Sequence, residues 1–286
     1  MPFERVSIVG LGLLGGSWGL ALKEKGFSGT VQGCDRRDVL KQALSLGVIE
    51  NGSEDPIEAV RGADLVILAT PVSAIVDLLP ALQPAISADA LVTDVGSTKR
   101  LICDRARQLF SGASLFLGGH PMAGKERSGL ERAEASLFRK ARYALVPLRP
   151  DDLSDGRIQA FSTLLTRLEA LPFVTDAVTH DRAVAFLSHL PQLMSTGLAS
   201  LIAEQSGDNL LPLELAGPGF RDITRLAESP YALWRDICLT NVENLQSALG
   251  ALIQKLESMK LHLSDRELER DFNEALKTRR RLHSLT

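Results

Sequence analysis

Cysteine is scarce in this sequence, and nothing in its placement does chemical or bracing work. Cys34, Cys103 and Cys238 are an odd number at wide spacing, which argues against a disulfide framework and suits a reducing compartment. None pairs with another at metal-site spacing, the five histidines are scattered, and no carboxylate and histidine cluster is spaced as a metal site. No metal is therefore expected. A basic excess is also missing: 32 Lys and Arg against 35 Asp and Glu give a net charge of −3, which removes the cationic balance of a general nucleic-acid binder. No 18-residue run is free of polar breaks, and the N-terminus opens a strand-like pattern at Arg5 without the regions of a signal peptide. The expectation is a soluble cytoplasmic protein with no membrane or nucleic-acid partner. Nucleophile elbows and glycine loops ending in Lys-Ser/Thr are absent too, so acyl and phosphoryl transfer fall away.

What is present is 286 residues of ordinary globular composition, 45% apolar and 23% charged, a length that suits about two domains. Through the first half, strand-like runs alternate with helical periodicity: Val6–Val9, Thr30–Cys34, Leu65–Leu68, Leu91–Thr93 and Tyr143–Val146. That alternation predicts an α/β domain with a mostly parallel, doubly wound sheet covered on both faces. From Pro172 onward long helical patterns take over, over Asp176 to Ala203, Leu233 to Met259 and Ser264 to Leu282, with a Gly/Pro connection at 215–220. Prolines 147 and 150 and the Asp151-Asp152 pair punctuate the transition. The expected division is a dinucleotide-binding domain over 1–171 and an all-helical domain over 172–286. The basic run Lys277–Arg281 reads as a solvated helix end.

Gly10-Leu-Gly12-Leu13-Leu14-Gly15 follows the first strand directly and opens a helical pattern, and Asp35 ends the second strand twenty residues beyond Gly15. In such a Rossmann-type unit the first glycine permits a tight turn, the second lets backbone approach a pyrophosphate, and the third packs helix against strand. The diphosphate then meets unpaired N–H groups at the helix N-terminus. Asp35 suits both ribose hydroxyls of NAD and repels a 2′-phosphate. Arg36 and Arg37 follow immediately and could bind that phosphate, so NADP stays open. Thr70-Pro71 and Asp94 end later strands at the same sheet edge and are expected to line the cofactor crevice.

A chemical centre is less legible. Gly118–Gly124 reads as a compact turn-like segment carrying His120. Its neutral imidazole could take a substrate hydroxyl proton while hydride leaves, with Ser97 as orienting partner, or could simply cap a turn. Ser188-His189-Leu-Pro-Gln192 interrupts a helical pattern, leaving His189 either at a pocket or satisfied within a helix. Arg221, Asp222 and Arg225 follow a Gly/Pro turn and suit either carboxylate recognition or a surface salt-bridge network. Trp234 serves packing or a pocket, and His180-Asp181 near a helix start reads equally well as a cap.

Taken in order, Gly10–Ser17, Asp94-Val-Gly-Ser97-Thr-Lys99, Gly119-His-Pro-Met-Ala-Gly124, Ser188-His-Leu-Pro191 and Gly219-Phe-Arg-Asp-Ile-Thr-Arg225 resemble the motifs of the prephenate/arogenate dehydrogenase family. The resemblance runs from Val6 to about Gln246. It implies that His120 hydrogen-bonds the ring hydroxyl, Ser97 positions it near the nicotinamide, and Arg225 binds a substrate carboxylate. His189 becomes a second pocket histidine, Asp222 and Trp234 pocket-supporting residues, and the helical half a homodimerisation domain. The implied reaction is NAD(P)-dependent oxidative decarboxylation of a cyclohexadienol, prephenate or arogenate. Gln192 departs from some prephenate-using relatives, which have histidine there, and the chain's end at Thr286 is expected to leave no room for a regulatory domain or fused mutase. Two other readings compete: a 3-hydroxyacid type of dehydrogenase, whose lysine-centred constellation is missing from 178–192, and a dinucleotide-binding protein without catalysis.

Overall fold

The computed structural model describes residues 3–110, 112–124, 129–207 and 209–284. Eight strands form one sheet in the order 3-2-1-4-5-6-7-8: β1 (Arg5–Val9), β2 (Thr30–Cys34), β3 (Asn51–Ser53), β4 (Leu65–Leu68), β5 (Leu91–Asp94), β6 (Leu115–Pro121), β7 (Arg142–Pro147) and β8 (Leu171–Val174). Only the β6–β7 pair is antiparallel. The chain winds outward from β1 to β3, returns to β4 on the other side of β1, and winds the opposite way. Strand order therefore reverses between β1 and β4, and the crevice outside their carboxyl ends is where open α/β sheets bind ligands.

Alternation along the strands explains why both faces are covered. In β4, Leu65 and Ile67 join one apolar cluster while Val66 and Leu68 join the other. On the first face, α1 (Leu13–Glu24), α2 (Arg37–Ser45) and α6 (Gly156–Arg167) pack their apolar sides, with Trp18 of α1 against Phe138, Tyr143 and Phe161. The second face takes α3 (Pro56–Val60), α4 (Val72–Leu82) and α5 (Arg100–Leu109). Cys34 and Cys103 lie in that second cluster, where burial pushes their thiols up to about 11 and about 12. Neither is a nucleophile at neutral pH.

Helices follow: α7 (Ala177–Val184), α8 (Leu190–Ser206), α9 (Leu211–Glu214), α10 (Pro218–Thr224) and α11 (Tyr231–Thr240). Residues through Val242 make one compact unit, and residues from Glu243 make a second, carried on α12 (Val242–Leu261) and α13 (Arg266–His283). The fold is thus an N-terminal doubly wound α/β domain followed by a helical C-terminal region. Among the described residues, no helix is long and apolar enough to cross a membrane.

Three strands escaped the sequence pattern for physical reasons. β3 is Asn-Gly-Ser, without an apolar residue; β8 carries Pro172 on a mostly exposed strand; β6 ends in Gly-Gly-His-Pro, which looks like a turn. The glycines of β6 answer to crowding instead. A Cβ on Gly119 would lie 2.3 Å from the Asp94 carbonyl oxygen, so the strand can approach β5 only without one. Two long helical patterns are also interrupted. A π-helical turn over Ala185–His189 precedes α8, and Pro191 sits in the first turn of α8. Asn241, at φ −135°, separates α11 from α12. Both interruptions fall beside the polar cluster described next.

Candidate active site

The first turn after β1 has the geometry of a dinucleotide loop. Gly10 adopts φ +94°, and its N–H donates to the Cys34 carbonyl at 2.8 Å. A Cβ on Gly15 would fall 1.9 Å from the Gly10 carbonyl oxygen, so helix and loop close only around glycine. Gly12 is different: a Cβ there would meet nothing within 4 Å. It is the N-cap of α1 and supplies no side chain to the helix's first N–H groups, which leaves them aimed at open space where a phosphate is favoured. Leu13 and Leu14, half-buried, begin that helix.

Asp35 at the end of β2 braces this loop. Its Oδ2 accepts the Leu11 N–H at 2.8 Å and its Oδ1 the Arg36 N–H at 2.7 Å, while the side chain stays half-buried at the crevice edge. Each oxygen retains a lone pair suited to a ribose hydroxyl. Arg36 points into solvent with its guanidinium 3.8 Å from Asp38. Across the crevice, after β4, Thr70 Oγ1 is buried without a hydrogen-bond partner, and Pro71 leads into α4. An uncapped helix start, an acid at the second strand end and an orphaned hydroxyl opposite fit a dinucleotide.

Asp94 is turned inward instead of lining the crevice. It is fully buried, and its carboxylate accepts from Lys99 Nζ, from the Gly96 N–H at 2.9 Å and from the Gly119 N–H at 3.1 Å. Lys99, also fully buried, donates in addition to the Gly119 carbonyl at 2.7 Å. This satisfied ion pair grips the residue before His120 from both sides of its peptide. The cofactor role expected of Asp94 gives way to a brace for β6.

His120 thus sits at the end of a strand, not on a free turn. Its Nδ1 lies 2.9 Å from Nε2 of His180, whose Nδ1 lies 2.8 Å from Asp181 Oδ1. The hydrogen positions follow from the acceptor at the end of the chain. A carboxylate can only accept, so His180 carries a proton on Nδ1; in the arrangement with both imidazoles neutral, His180 presents a bare Nε2, His120 donates to it from Nδ1, and the His120 Nε2 is left unprotonated. That Nε2 has no hydrogen bond among the described residues. Burial, reinforced by the neighbouring His180, Lys99 and His189, holds the His120 imidazole well below its ordinary pKa. It is a neutral imidazole whose Nε2 is not engaged by any donor of the described residues.

Asp181 is the hub beneath. Its two oxygens also accept the Lys99 and Arg100 N–H groups at 2.7 and 2.9 Å, and its carbonyl accepts from Asn241 Nδ2 at 2.9 Å. The helix cap in this region is Asp176, which accepts the Val178 and Thr179 N–H groups at 3.0 and 2.9 Å. His180 and Asp181 are not the cap but buried members of the site. Ser97, proposed from the sequence as the partner of His120, is half-buried on the loop after β5, and its hydroxyl has no hydrogen bond among the described residues.

Asn241 Nδ2 also lies 3.3 Å from His189 Nδ1, and the His189 ring meets Trp234 edge to face at a 5.9 Å centroid separation. His189 is 1% exposed, and burial lowers its pKa to about 4. Arg225 and Asp222 lie exposed on a different stretch, Arg225 opening a short 3-10 turn to Glu228. That turn is pinned to α8, because Gln192 Nε2 donates to the Leu226 carbonyl at 2.8 Å and Ser195 Oγ accepts the Ala227 N–H at 3.0 Å. Helix α11 is tied to the crevice loops: Asp236 accepts the Ser73 N–H at 3.1 Å, and the Thr240 and Thr98 hydroxyls are 2.7 Å apart.

His180, Asp181, Lys99 and Asn241 are the residues the sequence reading missed as parts of the site. Asn241 alone left a usable signal, a poor helix former inside an otherwise continuous helical pattern.

Comparison with known proteins identifies the family. The chain matches the family model for the prephenate dehydrogenase nucleotide-binding domain over residues 18–170 and that for the prephenate dehydrogenase dimerization domain over 176–278. It is 35% identical over 274 residues to the prephenate dehydrogenase of Bacillus subtilis, covering 94% of this chain and 72% of that protein. It is 30% identical to the cyclohexadienyl dehydrogenase of Zymomonas mobilis, covering 97% and 95%. The crystal structure of the prephenate dehydrogenase from A. aeolicus in complex with hydroxyphenyl propionate and NAD+ superposes with a TM-score of 0.87 at 29% identity, covering 100% of this chain and 99% of that one.

Proposed function

The chain belongs to the prephenate dehydrogenase family, and from that premise we propose that it catalyses the NAD(P)-dependent oxidative decarboxylation of prephenate to 4-hydroxyphenylpyruvate, a step of tyrosine biosynthesis. The observation that carries the proposal is the Asp181–His180–His120 hydrogen-bonded chain, which leaves His120 Nε2 without a partner among the described residues. Gly10, Gly12, Leu13, Leu14 and Gly15 would hold the pyrophosphate, Asp35 the adenosine ribose, and Thr70 and Pro71 the opposite wall. A nicotinamide dinucleotide, when bound, supplies the hydride acceptor.

His120 Nε2 takes the hydrogen bond of the ring hydroxyl and draws on its proton as C4 gives up hydride. The quaternary carbon sheds carbon dioxide, and its bonding pair enters the ring, which becomes aromatic. The phenol keeps its proton at the end, so His120 holds that proton through the step instead of removing it. Positive charge developing on His120 is relayed through His180 toward Asp181, a preorganised stabilisation that costs no solvent reorganisation. Ser97 holds the hydroxyl from the side of β5, and Arg225, supported by Asp222, anchors a carboxylate of the substrate as the positioning group. His189 and Trp234 line the same pocket.

Asp35 at the ribose position supports NAD over NADP, since a 2′-phosphate there would meet its charge. Arrangement as a homodimer through the helical region is supported by apolar side chains standing exposed on α12 and α13, among them Leu256, Phe272 and Leu276. A functional boundary close to 171/172 is supported by the two family matches, one ending at 170 and the next beginning at 176, with β8 itself kept in the sheet. Arogenate is the second reading, because one relative is named for the cyclohexadienyl group and not for prephenate alone. Initial rates with each of prephenate and arogenate, against each of NAD and NADP, decide both choices. Turnover is expected to be highest with prephenate and NAD. A folded protein that binds dinucleotide but reduces none in any combination would overturn the proposal.

A further inference from the structure

Two buried ring nitrogens beside the histidine chain have no partner among the described residues. His189 Nε2 and Trp234 Nε1 are both buried without a hydrogen bond among the described residues, and their rings touch edge to face. Native proteins rarely leave buried polar groups in this state, and two together call for an acceptor from outside the chain. The protonation state of His189 can be read from its other nitrogen. The Asn241 amide is oriented by the Asp181 carbonyl, which can only accept, so the group facing His189 Nδ1 is an N–H donor. Nδ1 must then be the bare nitrogen, and the proton resides on Nε2. Because burial disfavours a charged imidazole here, His189 Nε2–H and Trp234 Nε1–H are a pair of neutral donors.

We infer that Asn241 is a positioning residue that locks His189 in the Nε2–H tautomer, and that His189 and Trp234 together bind the carboxylate that the substrate retains through the reaction. The inference rests on the reading above, that the substrate is a dicarboxylate which loses one acid group as carbon dioxide. Donors converging on the departing carboxylate would stabilise it in the ground state and oppose its loss, whereas donors on the persistent one hold ground state and transition state alike. A neutral pair can take that place without burying a second cation beside His120, whose uncharged state the reaction uses. Arg225 supplies the cation for the acid groups, and the imidazole and indole supply direction.

Two measurements test this on the full chain. Long-range proton–nitrogen NMR of the imidazoles in the unliganded protein should show His189 as the Nε2–H tautomer, and that state should be lost in Asn241→Leu; an Nδ1–H tautomer in the native protein would overturn the role of Asn241 whatever the substrate is. Calorimetry in the presence of NAD+ then compares 4-hydroxyphenylpropionate, which has the retained acid, with 4-ethylphenol, which lacks it. Trp234→Phe keeps a ring against His189 and removes only the donor. It should weaken the acid about ten-fold and the phenol less than about two-fold, the loss expected for one hydrogen bond to a charged group. Equal losses for both ligands, or none, would overturn the carboxylate assignment. Failure of the native protein to bind either compound would instead remove the functional reading beneath it, while the tautomer result would still stand or fall by itself.

Discussion

The two ends of the crevice are built by different means. At the cofactor end the groups offered to a ligand are mostly backbone, drawn from one contiguous strand, helix and strand between Arg5 and Asp35. At the chemical end they are side chains from β5, β6, α7, the π-helical turn and the end of α11, linked by hydrogen bonds that span 60 to 82 residues. A site made of backbone depends on what is missing from its side chains, so it is recognised by glycines. A site made of side chains depends on tertiary structure to bring each partner into reach. Substitutions should therefore fail differently at the two ends, through shape at the first and through chemistry at the second.

The largest separation between the ends is expected from His120→Asn. The amide can still hydrogen-bond the hydroxyl but cannot draw on its proton or carry the positive charge that develops on the imidazole, so turnover should fall about 1,000-fold, within the range for loss of an acid–base group. Dinucleotide affinity, measured by fluorescence titration, should change less than about two-fold. A turnover near that of the native protein would end the role given to His120.

Gly15→Ala and Gly12→Ala divide the cofactor end itself. A methyl at position 15 has to displace the Gly10 carbonyl and should cost about 3 kcal/mol of stability in denaturant titration, the upper part of the usual overpacking range. A methyl at position 12 meets open space, so stability should hold to within about 0.5 kcal/mol while NAD+ binds about ten-fold more weakly because its phosphates can no longer approach the backbone. Equal stability losses at both positions would mean that the open space beside Gly12 is not kept for a ligand.

This contrast also explains what could be read from the sequence. The doubly wound sheet was legible because buried parallel strands such as Leu65–Leu68 are unbroken apolar runs, and the glycine loop because its spacing is local. The chemical end was legible only as separate motifs. Nothing in Thr179-His180-Asp181-Arg182 distinguishes a cap from a relay, since the deciding fact is that β6 brings His120 to within 2.9 Å of His180. Lys99 and Asp94 look like the polar end of a strand and the start of a helix until Gly119 is seen between them. Resemblance to a family suggested roles for His120 and Arg225 without their geometry, and the structure adds the residues hydrogen-bonded around His120.

His180→Gln tests the relay more gently than removal of the base. Glutamine can offer an acceptor to His120 Nδ1, but it breaks the link to Asp181, so the charge developing on His120 loses its stabilisation. Turnover should fall about ten- to a hundred-fold with dinucleotide affinity retained. Asp181→Asn should produce a similar loss of turnover and also lower stability, because its carboxylate receives the Lys99 and Arg100 N–H groups at the start of α5. A full-rate His180→Gln enzyme would make His180 a packing residue only.

The smallest effect concerns acid stability, and it too should belong to the chemical end, since residues 1–119 contain no histidine. His189 has a folded-state pKa of about 4 against an ordinary 6.5. Above pH 6.5 it is neutral in both folded and unfolded chains and contributes no pH dependence. As pH falls from 6.5 toward 4, the unfolded chain takes up a proton that the native pocket refuses, so stability drops through that window, by about 1 kcal/mol at pH 5.5 for this residue. The lowered pKa of His120 acts in the same direction. The raised pKa of half-buried His262, held up by its hydrogen bond to Asp265, acts in the opposite one. Denaturant titrations of the native protein and His189→Asn at pH 7.5 and 5.5 should show a smaller acid loss in the variant. An unchanged loss would mean that the pocket opens to water on acidification before His189 is forced to choose.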